Sequence, residues 1–168
     1  MIKIIGIDPG IAATGIGIIK GRDINPEGYA YGSINTSKND SLPTRLNHIF
    51  SHVLKVLKDE KPDLMVVEDI FSLSKYPKSG IMLGKVSGVI LLAGYKVRVP
   101  VIEIPVREAK QILTGNGSAS KKQLEITVRN LLNIFTPIRP FHASDALALA
   151  IIGLYRYKSY HSACQPYS

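Results

Sequence analysis

The chain is poor in cysteine, poor in acid for the base it carries, and free of long apolar runs. Cys164 is the only cysteine among 168 residues. That excludes an internal disulfide framework and any multi-cysteine zinc site, and predicts a reducing compartment. Only 13 Asp and Glu stand against 21 Lys and Arg, a net charge of +8 with a pI near 9.6. Such a field concentrates polyanions, so nucleic acid is the first partner to consider, although other basic scaffolds share the balance and charge names no reaction. No apolar stretch reaches the roughly 18 residues of a membrane span. Met1 leads straight into a β-branched run with no secretory pattern, which predicts a cytoplasmic protein with no membrane partner. There is no internal repeat. The length allows one core: a single domain over 1–157 and a patternless tail over 158–168.

What is present reads as an α/β chain. Residues 2–7 are apolar almost throughout and stop at Asp8-Pro9-Gly10, the pattern of a strand buried on both faces. Residues 15–20 and 28–35 continue as an antiparallel meander. From Ser41 to Lys58, Leu42, Leu46, Ile49, Phe50, Val53, Leu54 and Leu57 recur at helical spacing, and Lys61-Pro62-Asp63 ends the helix. A strand over 64–67 stops at Glu68, and a loop is expected over 72–79. A helix over 80–94, a strand over 96–104 and helices over 105–113, 119–134 and 142–157 complete a mixed five-stranded sheet with helices on both faces.

Two distant acids end parallel strands in this topology. If the first strand runs up, a right-handed crossover starts the 64–67 strand upward beside it, so Asp8 and Glu68 meet at one sheet edge. Carboxylates so placed repel until a proton or a cation intervenes, and Mg²⁺, bound through one or two carboxylates with water and phosphate oxygens, suits an open acidic edge. Asp69 points to the other face. His142 and Asp145 lie one turn apart on the last helix. Each residue also has a plainer reading: Asp145 as a partner of the helix dipole, His142 as a surface histidine, Asp8 as a turn former, Glu68 as a solvated strand end.

Gly6-Ile7-Asp8-Pro9-Gly10 with Thr14-Gly15, Glu68 followed by Phe71, the segment from Lys110 to Lys121, and His142-Ala143-Ser144-Asp145-Ala146-Leu147-Ala148 occur in order. Together they resemble the RuvC family of bacterial Holliday junction endonucleases, over about residues 2–155. The resemblance implies a ribonuclease H-like fold and paired, metal-dependent cutting of four-way DNA junctions in recombination and repair. It also implies Asp8, Glu68, His142 and Asp145 as catalytic metal ligands, and two Mg²⁺ per site with Mn²⁺ as a substitute. Asp8 would bridge the ions; His142 would be either a ligand or the base that takes a proton from water. Phe71 would stack on exposed bases, with Lys75 and Tyr76 beside it in the junction. Arg107, Lys110, Lys121 and Lys122 would meet phosphate. Two departures stand out: Ser74-Lys75-Tyr76-Pro77 lacks an Asn usual in the family, and Gly117-Ser118-Ala119-Ser120-Lys121 lacks an Arg.

Junction symmetry predicts a two-fold homodimer, built on the 80–94 helix. Ile81, Met82, Val86, Val89, Ile90 and Ala93 would cover the sheet, and the small-residue stripe Gly84, Ser87, Gly88 and Leu91 would face the second copy. A branch-migration helicase is a further expected partner. Three alternatives share parts of the pattern: an actin-like ATPase half, which the length disfavours; a RuvC-like nuclease of ribosomal RNA precursors; and a non-catalytic basic binding module.

Overall fold

A computed structural model describes residues 1–69 and 77–164. The strands are β1 (Ile2–Asp8), β2 (Ala13–Arg22), β3 (Asn25–Asn35), β4 (Leu64–Asp69) and β5 (Val101–Pro105). The helices are α1 (Leu42–Glu60), α2 (Pro77–Lys96), α3 (Val106–Thr114), α4 (Lys121–Leu132) and α5 (Phe141–Cys164). One five-stranded sheet runs β3-β2-β1-β4-β5. β2 is antiparallel to both its neighbours, and β4 is parallel to β1 and β5, as the crossover argument requires.

The sheet divides the core in two, which explains the unbroken apolar runs. Ile4 of β1 with Leu64 and Val66 of β4 packs on the side of α4 and α5. Ile5, Ile7, Met65 and Val67 alternate to the other side, where Ile49, Val53 and Leu57 of α1 and Val86, Ile90 and Ala93 of α2 cover them. With both faces dry, no polar residue interrupts residues 4–7 of β1 or 64–67 of β4; Lys3 stands near the start of β1, and the acids come at the far ends of the strands.

Several boundaries differ from the sequence reading. The strand expected over 96–104 begins only at Val101, because α2 continues to Lys96 and the chain then turns with Arg98 at φ 58. Val97 and Val99 pack under the α1–α2 layer from this turn. Ser120 caps α4 through a reciprocal pair with Gln123, and Asn133 closes it in the left-handed conformation, trimming the expected 119–134 helix at both ends. α5 does not stop at Tyr157. It runs to Cys164, with Tyr157 and Tyr160 packed against the α4–α5 core.

The expected dimer stripe on α2 is only half exposed. Ser87 is buried at 6% exposure and Leu91 leans on the chain's own core, whereas Gly84 and Gly88 are open. Ile81, expected to cover the sheet, is 64% exposed. The outward stripe is therefore Ile81, Gly84, Gly88, Leu92 and Tyr95, rotated from the expected one. α2 is apolar nearly all round, so its periodicity sets no phase.

Candidate active site

The site is made by strand periodicity and one close helix. Ile4, Gly6 and Asp8 share a face of β1, and Leu64, Val66 and Glu68 share the same face of β4. Ile4 pairs with Leu64 and Gly6 with Val66, so one further step of the register sets Asp8 beside Glu68. α5 crosses this face. A Cβ on Gly6 would stand 2.0 Å from the Ala146 carbonyl oxygen, and one on Gly15 2.0 Å from that of His142. Only glycine admits the helix so near, and Gly15 is itself the cross-strand partner of Asp8. The first turn of α5 is thus pressed onto the end of β1. Spaced glycines in strands are the sequence signal for such an approach, and Gly6 and Gly15 carry it.

The result is a cleft of about 670 Å³ lined by Asp8, Glu68, His142 and Asp145, with Arg107, Lys110 and Lys121 among its other walls. His142 Nδ1 lies 2.6 Å from Asp8 Oδ2. Lys121 Nζ lies 3.7 Å from Asp145 Oδ2. Asp8 and Asp145 are only 6% and 7% exposed, so neither is a solvated surface acid. Asp145 in particular does more than complement the dipole of α5, since its Oδ1 is buried with no hydrogen-bond partner. Asp69, expected to face away, also lines the cleft, because β4 ends there and the strand edge opens into it.

Charge in the cleft is poorly compensated. Burial, then hydrogen bonding and repulsion by Asp8, then the charge of Asp145, push the Glu68 carboxyl up to about 9. Burial and the Asp8 charge raise Asp145 to about 6, with Lys121 pulling the other way. The hydrogen bond to Asp8 raises His142 against the opposing effect of its own burial. Acids that hold protons this tightly, beside an orphaned carboxylate oxygen, form an oxygen-rich donor set that a hard divalent cation fits. Among the described residues no three His, Cys, Asp or Glu side chains already stand together as a metal cluster. The donors therefore form a cleft that a cation would gather.

Of the residues expected to meet DNA, Arg107, Lys110 and Lys121 share the cleft with the acids, and Lys122 is exposed on α4 outside its lining. Phe71, Lys75 and Tyr76 lie outside the described residues. No helix among the described residues is long and apolar enough to cross a membrane.

Comparison with known proteins gives the family and the fold. The family model for the crossover junction endodeoxyribonuclease RuvC matches residues 4–153. The RuvC of Syntrophomonas wolfei is 36% identical over 156 residues, covering 93% of this chain and 90% of that protein. The RuvC of Carboxydothermus hydrogenoformans is 39% identical over 151 residues, covering 90% and 94%. The solved structure of Thermus thermophilus RuvC with a Holliday junction substrate superposes with a TM-score of 0.87 at 28% identity, over 95% of this chain and 97% of that one. The yeast mitochondrial Holliday junction resolvase, at 13% identity and a TM-score of 0.62, shares the fold. With nearly the whole length matched by model, sequence and structure, the ribonuclease H-like fold is established and the chain belongs to the RuvC family of crossover junction endodeoxyribonucleases.

Proposed function

We propose that this protein resolves four-way DNA junctions by hydrolysing one phosphodiester in each of two opposed strands. The observation that carries the reading is the convergence of Asp8, Glu68, His142 and Asp145, from two parallel strands and one helix, in a cleft walled by Arg107, Lys110 and Lys121. Acids alone would repel a phosphate. Acids with a basic wall suit a phosphodiester held by cations on one side and by lysine and arginine on the other. The ribosomal RNA and non-catalytic alternatives are less favoured, since the matched family is one of DNA endonucleases and the acid set is complete.

Asp8, Glu68 and Asp145 would hold the metal, Mg²⁺ in our reading with Mn²⁺ as substitute and two ions per site, and His142 stands at the edge of the set. Such a cation supplies an activated water and charge neutralisation at the phosphate. The side chains do the rest. His142, drawn toward its protonated form, donates Nδ1–H to Asp8 and fixes that carboxylate at the end of β1. Lys121, largely exposed, offsets the buried Asp145. Arg107 and Lys110 of α3 anchor the strand to be cut, Lys122 extends the basic surface along α4, and Phe71, Lys75 and Tyr76, outside the described residues, would contact the junction. A two-fold homodimer through the open face of α2 would present two clefts to a junction of matching symmetry. A branch-migration helicase would deliver the junction.

The test uses one immobile four-way junction with Asp8→Asn, Glu68→Gln and Asp145→Asn. Each variant should bind by gel shift and fail to cut in Mg²⁺, and the wild type should bind but not cut in Ca²⁺. Full cleavage by any of the three removes that residue from the set. Cleavage by the wild type in a chelator would refute the metal reading.

A further inference from the structure

The segment that follows Asp8, residues 9–12, carries Pro9 and Gly10 into the wall of the cleft. It is tied down from two directions. From within, the buried Thr14 hydroxyl donates to the Gly10 carbonyl at 2.9 Å. From outside, the Thr36 hydroxyl, at the end of β3, donates to the Ile11 carbonyl. The Thr36 backbone N–H donates to the Ala12 carbonyl at 3.0 Å. Arg45 of α1 completes the clamp: Nε donates to Thr36 Oγ1 at 2.8 Å, and Nη2 donates to the Ile11 carbonyl at 3.1 Å. A half-buried guanidinium is thus bonded to a carbonyl and a hydroxyl rather than to a carboxylate. Its planar fork reaches both acceptors at once, which a lysine ammonium cannot reproduce with the same geometry.

We infer that Arg45 and Thr36 are positioning residues for cleavage: their clamp on the Ile11 carbonyl holds the 9–12 segment, and through it the Asp8 carboxylate, in cutting register. This rests on the nuclease reading above. Neither residue lines the cleft, so their effect on the reaction passes through the backbone. Displacements near 1 Å at a reacting centre cost about 100-fold in rate, which makes a loop anchor visible in kinetics.

The experiment compares wild type with Arg45→Lys, Thr36→Val and Thr36→Ser. The readouts are the cleavage rate of pre-bound junction in Mg²⁺, junction affinity in Ca²⁺, melting temperature, and amide exchange across residues 9–14. Arg45→Lys and Thr36→Val should cut pre-bound junction about tenfold or more slowly, with affinity within twofold of wild type and faster exchange confined to the segment. Thr36→Ser keeps the bridging hydroxyl and should restore most of the rate. The inference is overturned if Arg45→Lys and Thr36→Val cut at the wild-type rate. It is equally overturned if Thr36→Ser loses as much as Thr36→Val, or if exchange rises throughout the chain. A wild type that cuts no junction would instead strike the nuclease reading, and the exchange measurement would still judge the clamp.

Discussion

Two helices of this protein meet glycine in opposite ways. Under α5, a Cβ on Gly6, Gly15 or Gly17 would collide with helix backbone at 2.0 to 2.4 Å. On α2, Gly84 and Gly88 have nothing within 4 Å. The first set is a seat that closes the gap between helix and sheet and so fixes His142 and Asp145 against Asp8. The second leaves an open face flanked by Ile81, Leu92 and Tyr95. One residue type serves rigidity in one place and access in the other, and only its surroundings tell which.

The sharpest way to break this contrast is to add one methyl group under α5 and, as a control, one at a strand glycine in open space. Gly15→Ala places a carbon against the His142 carbonyl, where strand and helix backbones are the only things that can yield. We expect a loss of about 3 kcal/mol of stability, the upper range for overpacking. The cleavage rate of the remaining folded protein should fall about 100-fold as His142 leaves Asp8. Gly32→Ala on β3, where nothing lies within 4 Å, should melt and cut like the wild type. Chemical denaturation with single-turnover cleavage checks the pair. Equal behaviour of the two variants would mean that α5 is not held by glycine contact.

How far this was legible in the sequence follows from what each signal depends on. Asp8 and Glu68 could be joined from the sequence because period-two alternation and a crossover rule fix where two parallel strands end. His142 and Asp145 could be paired with each other by helical spacing, but their approach to Asp8 depends on a helix–strand contact some 130 residues apart, which no local period encodes. The inward turn of Ser87 and the outward turn of Ile81 were unreadable because α2 is apolar on most sides. Val97 and Val99 look like a strand, yet Arg98 takes a left-handed turn between them that β-propensity does not reveal. The Arg45 clamp joins a helix to a carbonyl, and carbonyls carry no sequence signature.

An intermediate effect comes from the charge in the seat under α5. Glu68, raised from 4.5 to about 9, and Asp145, raised from 3.8 to about 6, bind protons more tightly when folded than when unfolded. Their contribution to stability is present in full below the unfolded values and is lost as pH rises through the folded ones. His142, also raised, acts with the same sign from 6.5 upward. Metal-free protein should therefore melt at progressively lower temperature between about pH 5 and pH 9. Mg²⁺ replaces protons on the acids, so it should raise the melting temperature more at pH 8.5 than at pH 5.5. In Glu68→Gln most of the slope should vanish. Melting curves across pH, with and without Mg²⁺, decide this, and a flat metal-free profile would show that burial and mutual repulsion do not hold the acids protonated.

The smallest effect should come from the open face, and its size should depend on concentration. In a lone copy, Gly88→Ala replaces a helix-interior glycine with the best helix former at a position with free space, which stabilises by about 0.5 to 1 kcal/mol. If two copies meet over Gly84 and Gly88, the added methyl stands between the helices and weakens their approach. Denaturation at dilutions where the protein is monomeric should then show the gain. At high concentration the gain should disappear, and sedimentation should show a dimer dissociation constant raised about tenfold. Gly88→Arg should abolish the dimer and leave nicks in cruciform DNA unpaired. If Gly88→Ala stabilises equally at both concentrations and Gly88→Arg sediments as wild type does, α2 does not carry the two-fold contact, and the contrast between the two glycine sets reduces to one between buried and solvated helix faces.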